Sequence, residues 1–368
     1  MPRIRVLVAE DSMTVRKRLV EVLSADPEIE VVGEAVDGKT CIELCRDLKP
    51  DAVTLDMVLP VLSGLAATEH IMAYCPTPIL IVSASTNRGD LFKTYDALAA
   101  GALDVLEKPR GDEADDVWEQ SFTSRVKLIS RIKAITHLRG RSRRESQDVH
   151  RTALPDNLPR TEPGHYRLVA IGTSTGGPAA IVEILHALPP DFPFPILLVI
   201  HLGPVLGESL AEWIDAQSSL RVSFAKDGEP LPELGQGRVI MAPPDRHIVV
   251  RGGCIRLSCG PERCSCRPSV DVLFESLAGD MGKRSVACLL TGMGKDGAAG
   301  LLAIRQAGGL TFAQDEATST IFGMPQEAIR MRAVDCVLGI HEIAPTLVAL
   351  AGRAVPAIAA DRLEWKKI

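Results

Sequence analysis

The chain contains a series of short apolar segments, each ending on a polar residue, that alternate with segments of helical periodicity. In the first third of the chain these candidate strands are Ile4–Ala9, Ile29–Ala35, Ala52–Leu55, Ile79–Val82 and Leu103–Leu106. Continuous apolar runs of this length are typical of strands buried on both faces of a parallel sheet, with helices as the crossovers between them. The pattern predicts an α/β fold with a doubly wound parallel sheet, whose ligand site lies outside the carboxyl ends of the strands.

Carboxylates, a hydroxyl and a lysine stand at those carboxyl ends: Glu10, Asp11, Asp56, Ser83 and Lys108. Three carboxylates in one crevice repel one another unless a cation joins them, and carboxylate oxygens with waters suit Mg²⁺. A lysine and a hydroxyl beside them suit an incoming phosphoryl group. The alternative is that strand-end acids only solvate a sheet edge, which we favour for any one of them but not for all five.

The motifs VLVAEDS, VTLDMVLPVLSG, IVSAST and GALDVLEKP make this part of the chain resemble the receiver domain of two-component response regulators. The resemblance implies a flavodoxin-like fold and a histidine kinase as phosphodonor. It also implies a phosphoacceptor at Asp56, Mg²⁺ ligands at Glu10, Asp11 and Asp56, a phosphoryl contact at Lys108 and a sensing hydroxyl at Ser83. Receivers often carry an aromatic switch residue three positions before the lysine, where this chain has Val105, so switching by an aromatic rotamer is not expected.

A second strand–turn–helix pattern begins at the apolar run Leu168–Ile171. Gly172 to Gly176 reads GTSTG, and Pro178 stands near the start of the apolar-periodic segment Ala179–Leu188. This G-x-S-x-G pattern places Ser174 on a sharp turn, where its hydroxyl is exposed above a sheet. Two alternatives stay open from the pattern alone, namely a tight turn without chemistry and a phosphate cradle.

Two further residues complete a candidate catalytic set. His201 follows the apolar run Ile196–Ile200, and Asp296 follows the run Ser285–Leu290 and a glycine-rich turn. If these runs are parallel strands, Ser174, His201 and Asp296 converge on one sheet edge. The histidine would take the serine proton and the aspartate would orient the histidine. The backbone N–H of Met293 is a candidate oxyanion donor. Taken singly, the histidine and the aspartate would fit a strand-end hydrogen bond and a helix cap.

The segments GTSTGGP, IHLGP, RPSVDVLF and LLTGMGKDGAAGL resemble the catalytic domain of the chemotaxis protein-glutamate methylesterases, the CheB type. The resemblance runs from about residue 168 to 350. It implies hydrolysis of glutamate γ-methyl esters, and in some members deamidation of glutamines, on methyl-accepting chemotaxis receptors. Ser174, His201 and Asp296 then form the triad, Met293 contributes to the oxyanion site and Thr175 is a further site residue. Around the histidine the chain departs from the family with Ile200 and Leu202-Gly203-Pro204, which puts the substrate rim in doubt.

We expect a receiver at 1–125, a helix extension and flexible linker at 126–165, a Rossmann-like esterase domain at 166–352 and a tail at 353–368. Helical periodicity extends over Arg125–Leu138, and a basic cluster follows at Arg139, Arg141, Arg143 and Arg144. Such a linker would allow the receiver to dock over the serine site and block it until Asp56 is phosphorylated.

Composition excludes some classes of function. The formal net charge is −6 and no apolar run reaches the length of a membrane span. We therefore expect no general nucleic-acid binding and no membrane insertion. The N-terminus lacks the features of a signal peptide. A cytoplasmic monomer with no cofactor for the esterase is expected.

Nine cysteines are present, of which four are close together in the sequence: Cys254, Cys259, Cys264 and Cys266. Their spacing is not a standard zinc pattern, so we favour reduced, unliganded thiols over a metal or redox site. His247 and His341 are expected to be polar surface or loop residues.

Three interpretations of different class remain. We favour a phosphorylation-activated serine esterase and amidase. A receiver fused to a nucleotide-binding module is disfavoured because the glycine turn lacks the G-x-x-x-x-G-K-[ST] pattern and leaves His201 and Asp296 unused. The remaining alternatives are a catalytically silent scaffold or phosphate sink, and an esterase of a non-flagellar chemosensory pathway.

Overall fold

The computed structural model describes residues 3–84, 88–108, 115–132, 165–203, 207 and 209–352. The chain divides into two compact units, residues 1–149 and 150–368. The predicted basic cluster of the linker and the predicted tail lie outside the described residues. Among the helices that are described, none is long and apolar enough to cross a membrane.

The first unit is a five-stranded parallel sheet with order β2-β1-β3-β4-β5. Its strands are β1 (Ile4–Ala9), β2 (Ile29–Ala35), β3 (Ala52–Leu55), β4 (Ile79–Ser83) and β5 (Asp104–Glu107). Its helices are α1 (Met13–Ser24), α2 (Gly38–Leu48), α3 (Gly64–Tyr74), α4 (Arg88–Ala99) and α5 (Asp115–Ile129). The predicted doubly wound sheet is therefore confirmed, and each predicted strand is present to within one residue at either end.

Helix α5 is shorter than the sequence predicts. Its apolar face, with Phe122 and Val126, packs into the same buried cluster as Val6 of β1. The helix ends at Ile129, and the prediction of a helix continuing to Leu138 is wrong for residues 130–132. There the backbone switches to i→i−3 hydrogen bonds, with the N–H of Ile132 donating to the Ile129 carbonyl at 2.9 Å, which tightens and ends the last turn. Residues 133–138 lie outside the described residues.

The second unit is a seven-stranded parallel sheet with order β14-β13-β12-β6-β7-β9-β8, beside a separate antiparallel hairpin of β10 and β11. Its sheet strands are β6 (Leu168–Thr173), β7 (Ile196–Ile200), β8 (Arg221–Phe224), β9 (Arg238–Met241), β12 (Ser285–Leu289), β13 (Leu310–Gln314) and β14 (Cys336–Leu338). The hairpin strands are β10 (His247–Arg251) and β11 (Cys254–Ser258). The helices are α6 (Gly177–Ala187), α7 (Leu210–Gln217), α8 (Val270–Asp280), α9 (Ala298–Gln306), α10 (Met324–Arg330) and α11 (Ile340–Leu350).

Strand β6 is the centre of this second sheet, paired with β12 on one side and with β7 on the other. The chain builds outward from β6 in one direction through β7 and then returns to start the other half at β12. That reversal of strand order is the point at which open α/β sheets form their ligand crevice, outside the carboxyl ends of the strands. The fold therefore directs the loops after β6, β7 and β12 to one edge.

Candidate functional sites

Ser174 is the first residue after β6, and its position is fixed by the loop after β12. The Ser174 N–H donates to the Thr291 carbonyl at 3.0 Å, and the Thr173 hydroxyl donates to the same carbonyl at 2.8 Å. The next residues turn sharply, with Gly176 at φ +79°, a region that favours glycine. A half-buried serine hydroxyl is thus presented on the predicted strand-to-helix turn.

Asp296 lies in the loop between β12 and α9 and is only 2% exposed. One carboxylate oxygen, Oδ2, lies 2.8 Å from His201 Nε2 and accepts the N–H of Val270 at 2.7 Å. The other, Oδ1, accepts the Ser269 hydroxyl at 2.8 Å and the Asp271 N–H at 3.2 Å. Burial alone would raise the pKa of Asp296, but the hydrogen bonds and charge of His201, with the Ser269 and Val270 donors, hold it below the ordinary 3.8. The carboxylate is therefore ionised and fully engaged.

His201 follows β7 directly, and its backbone N–H donates to the Thr173 carbonyl at 3.1 Å. Because the ionised Asp296 can only accept, Nε2 carries the proton and Nδ1 is left as the free acceptor. The ring thus donates its Nε2–H to the aspartate. In chymotrypsin the aspartate accepts from Nδ1 and the serine faces Nε2, so the two nitrogens exchange roles here. Among the described residues, the Ser174 hydroxyl makes no hydrogen bond to either ring nitrogen. Nδ1 lies instead 3.6 Å from the thiol sulfur of Cys266.

Two backbone N–H groups at this edge are available for an oxyanion. In the described part of the second unit, the N–H groups of Thr175 and Met293 donate no hydrogen bond, whereas the Thr175 carbonyl accepts from the Thr291 hydroxyl at 3.0 Å. The residue after a serine nucleophile commonly supplies such a donor. Met293 is 52% exposed.

The glycine-rich turn after β12 approaches Ser174 closely. A Cβ on Gly292 would lie 2.7 Å from Ser174 Cβ and 2.3 Å from Met324 Sδ. No side chain fits there without moving the serine. The turn that carries Met293 is therefore packed against the serine turn at backbone distance.

The residues that hold Asp296 were missed from the sequence. Ser269 is the N-cap of α8, where its hydroxyl accepts from the Val272 N–H at 3.4 Å while donating to Asp296. His247 Nδ1 accepts the Ser269 N–H at 3.1 Å. The prediction that His247 is a surface or loop residue is wrong, because it lies in β10 and is 2% exposed. Ser269 precedes an apolar-periodic segment, and this pattern could have predicted it as a helix N-cap. Nothing in the sequence around His247 predicts that it is buried next to Ser269. His341 is exposed, as expected, in α11.

The first unit gathers buried charges at its own carboxyl edge. Lys108 Nζ lies 2.7 Å from Asp56 Oδ2 and 2.7 Å from Glu10 Oε2. Burial opposes the charge of the lysine, but the two carboxylates hold the pKa of Lys108 above its usual 10.5. Burial raises the pKa of Glu10, and the nearby Asp56 charge adds to the effect, although Lys108 opposes it. At this edge the ammonium group of Lys108 thus pairs with two carboxylates, those of Glu10 and Asp56.

The same edge has the donor set of a Mg²⁺ site. Carboxylate oxygens of Glu10, Asp11 and Asp56 lie within 4.8 Å of one another, and Asp11 is exposed, so water can complete the coordination. Ser83 is buried at the end of β4, one strand from Asp56. Val105 is buried in β5 and pairs with Ile81 of β4. The five predicted residues of this edge therefore stand at strand ends of one sheet, as expected.

The second unit has a cavity of about 610 Å³ away from its serine site. Its lining includes Arg167, Pro195 and Arg284, which precede β6, β7 and β12 respectively. It is therefore at the amino ends of the strands and shares no residue with the serine site.

Family models match both units: a response regulator receiver domain over residues 6–115 and a CheB methylesterase over residues 169–347. Together they define a response regulator whose output unit is a methylesterase. The chain is 44% identical to protein-glutamate methylesterase/protein-glutamine glutaminase 2 of Anaeromyxobacter dehalogenans, over 92% of this chain and 95% of the relative. A relative with the same name in Nitrosospira multiformis is 42% identical over 94% and 97%. The chain belongs to this family, the protein-glutamate methylesterase/protein-glutamine glutaminases.

Proposed function

We propose that this chain is a phosphorylation-activated serine hydrolase that removes methyl groups from glutamate γ-methyl esters of chemotaxis receptors and deamidates receptor glutamines. The observation that carries the proposal is the hydrogen bond between His201 Nε2 and buried Asp296, at the sheet edge that also presents Ser174. The homologues' names state both reactions.

In the proposed reaction the Ser174 hydroxyl rotates towards His201 Nδ1, which takes its proton as Oγ attacks the ester carbonyl. Asp296 stabilises the imidazolium through Nε2–H. The N–H groups of Thr175 and Met293 bind the oxyanion. His201 then returns the proton to the leaving group, methanol from an ester or ammonia from an amide. Water, activated by the same nitrogen, hydrolyses the acyl-serine and frees the glutamate.

Regulation is proposed to begin at Asp56, which accepts a phosphoryl group from a histidine kinase. Lys108, which pairs with Asp56 Oδ2 in the unmodified chain, is positioned to pair with the phosphoryl oxygens instead. Mg²⁺ held by Glu10, Asp11 and Asp56 would neutralise charge on the transferring group. Ser83 would sense the phosphoryl group. A cytoplasmic monomer acting on receptor tails, without nucleic acid, remains our expectation.

The test is methanol release from methyl-labelled receptor, with and without a small acyl phosphate as phosphodonor. We expect release by wild type to rise with the phosphodonor. Ser174→Ala should abolish release while still accepting phosphate, and Asp56→Asn should keep basal release without the rise. Release that persists in Ser174→Ala would overturn the assigned nucleophile.

A second candidate function has one observation in its favour. Among the described residues the Ser174 hydroxyl makes no hydrogen bond to His201, and the Cys266 thiol lies 3.6 Å from Nδ1. A catalytically silent scaffold or phosphate sink would tolerate such an arrangement. Phosphorylation of wild type without any methanol release would favour that candidate.

A further inference from the structure

The distance between Cys266 Sγ and His201 Nδ1 suits two ligands of one metal ion. The two atoms are 3.6 Å apart. Tetrahedral zinc holds nitrogen at about 2.0–2.1 Å and sulfur at about 2.3 Å, so its ligand atoms are separated by ~3.6 Å. The contact that replaces the expected serine–histidine hydrogen bond thus has the spacing of a zinc-bound imidazole and thiolate.

The turn that carries Cys266 is held firmly. Arg263 and Cys266 exchange two backbone hydrogen bonds, of 3.1 and 2.9 Å, around a two-residue turn. The two central residues, Cys264 and Ser265, have φ of 51° and 60°. This is the geometry of a tight hairpin turn that usually requires glycine or asparagine. Arg263 also makes a two-pronged ion pair with Glu275 of α8, at 2.7 and 2.6 Å, so the turn is fixed to the same helix that holds Asp296.

The same turn carries a second thiol, that of Cys264, two residues before Cys266. Cys264 is exposed, and its sulfur lies within 4.8 Å of the carboxylate oxygens of Asp271 and Asp296. Asp296 belongs to both this group and the group with His201 and Cys266. Its oxygens already accept hydrogen bonds from His201, Ser269 and the α8 backbone, so we assign it to orienting His201. Cys264 is our choice for the third ligand because it is exposed and stands on the same turn as Cys266. Its sulfur is grouped with Asp271 and Asp296 and not with His201 and Cys266, so its side chain would have to turn towards them when the ion binds.

We propose that His201, Cys266 and Cys264 form a site for a thiophilic divalent cation, with Zn²⁺ as the best fit, that inhibits the esterase when bound. Thiolate and imidazole ligands select such ions over Mg²⁺. Binding releases the thiol protons to solvent and occupies the lone pair of Nδ1. The inhibitory effect rests on the proposed function, since it requires Nδ1 to be the catalytic base. The binding itself does not.

Binding is tested with Co²⁺ as a spectroscopic substitute for Zn²⁺, on the full reduced chain in a phosphine reductant. We expect one equivalent of Co²⁺ to give a thiolate-to-metal charge-transfer band, and Zn²⁺ but not Mg²⁺ to displace it. Cys266→Ser should weaken binding by at least about tenfold, and Cys264→Ser should weaken it less. Cys259→Ser is the matched control, because Cys259 is exposed on the same segment and contacts Arg246 rather than His201. Equal Co²⁺ binding by Cys266→Ser and wild type would overturn the site.

Inhibition is tested on a small chromogenic ester, with each variant compared with its own metal-free rate. Zn²⁺ should inhibit wild type and Cys259→Ser, a chelator should restore the rate, and Cys266→Ser should need at least about tenfold more Zn²⁺. Undiminished hydrolysis by a chain that carries bound metal would overturn the inhibitory role. If the metal-free wild type hydrolyses neither this ester nor methylated receptor, the proposed function fails, while the Co²⁺ titration still decides the site.

Discussion

The carboxyl edges of the two sheets both bury carboxylates, but they compensate the charge with different groups. In the receiver, Lys108 lies 2.7 Å from both Glu10 and Asp56, so one cationic side chain balances the charge. In the esterase unit, Asp296 is held by His201 and by hydroxyl and N–H donors at the start of α8. The pKa of Glu10 is raised, whereas that of Asp296 is lowered.

This difference matches what each edge is proposed to do. A phosphoacceptor must exchange partners, because a phosphoryl group and a cation arrive and leave, and a single lysine can change its contact without unfolding anything. An aspartate that orients a histidine must not move, and backbone donors from a packed helix are fixed before the reaction begins. The edge with the proposed switch is thus compensated by one side-chain cation, whereas the edge with the proposed triad adds hydroxyl and backbone N–H donors to the histidine.

The largest expected effect is that of Asp296→Asn on kcat. An amide of the same size can present its N–H₂ to His201 and favour the wrong tautomer, so we expect kcat for ester hydrolysis to fall about 10⁴-fold. Asp271→Asn is the control, since Asp271 is also buried at the start of α8 but accepts the Gly300 N–H at 2.7 Å. An equal loss of kcat in both variants would point to disturbed packing of α8. The loss in Asp296→Asn could then not be assigned to the contact between Asp296 and His201.

The matching change at the receiver edge is Lys108→Met, which leaves Glu10 and Asp56 without their cation. Removing one partner of a buried ion pair costs about 3 kcal/mol, here in the free energy of unfolding of the receiver. Urea unfolding in a chelator, followed by the buried Trp118, measures it, and added Mg²⁺ should restore part of the loss. Lys93→Met in the same unit should cost about 0.5 kcal/mol or less, because the Lys93–Asp90 pair is exposed and 3.5 Å long. A loss no larger than that of Lys93→Met would show that the lysine is not the main compensating charge.

Gly292→Ala tests how rigid the catalytic edge is. The added Cβ would lie 2.7 Å from Ser174 Cβ, so the serine turn or the Met293 turn must shift. A misplacement of about 1 Å costs roughly 10²-fold in rate, which we expect in kcat for the ester. A Cβ on Gly279, in α8, would have no neighbouring atom within 4 Å, so Gly279→Ala should leave kcat unchanged. Normal kcat in Gly292→Ala would mean that the residues around Ser174 can shift without loss of activity, so this edge would not be more rigid than the receiver edge.

The smallest effect is the pH dependence of stability, and its sign differs between the edges. An acid with a lowered folded-state pKa stabilises above its ordinary pKa, so the Asp296 contribution should be lost as pH falls below 3.8. An acid with a raised pKa does the reverse, so the Glu10 contribution should decline as pH rises above 4.5. A tenfold change in the acid dissociation constant on folding corresponds to about 1.4 kcal/mol. Urea unfolding measures the free energy of unfolding across this pH range. Asp296→Asn should lose less of it than wild type as the pH falls, and Glu10→Gln should lose less of it as the pH rises. If both residues changed the free energy of unfolding with pH in the same direction, the comparison would be contradicted.

The sequence predicted the positions of the proposed triad better than those of the residues packed around it. Ser174, His201 and Asp296 each follow a short buried strand, and the carboxyl ends of parallel strands must meet at one edge, so strand positions alone brought them together. His247 and Cys266 come from a hairpin strand and a tight turn, whose place against the sheet depends on packing between elements distant in sequence. The end of α5 was missed for a similar reason, because helical periodicity continues past Ile129 while the backbone there already tightens into a turn.

One carboxylate, that of Asp296, both holds the His201 ring and accepts the first backbone N–H groups of α8. The amide hydrogens of Val270 and Asp271 can exchange with solvent only when their hydrogen bonds to that carboxylate break. Their exchange rates therefore report, without any substrate, how often the start of α8 separates from the carboxylate that also holds His201. Under the proposed function, fraying of this helix end would disturb the alignment of the base at the same moment.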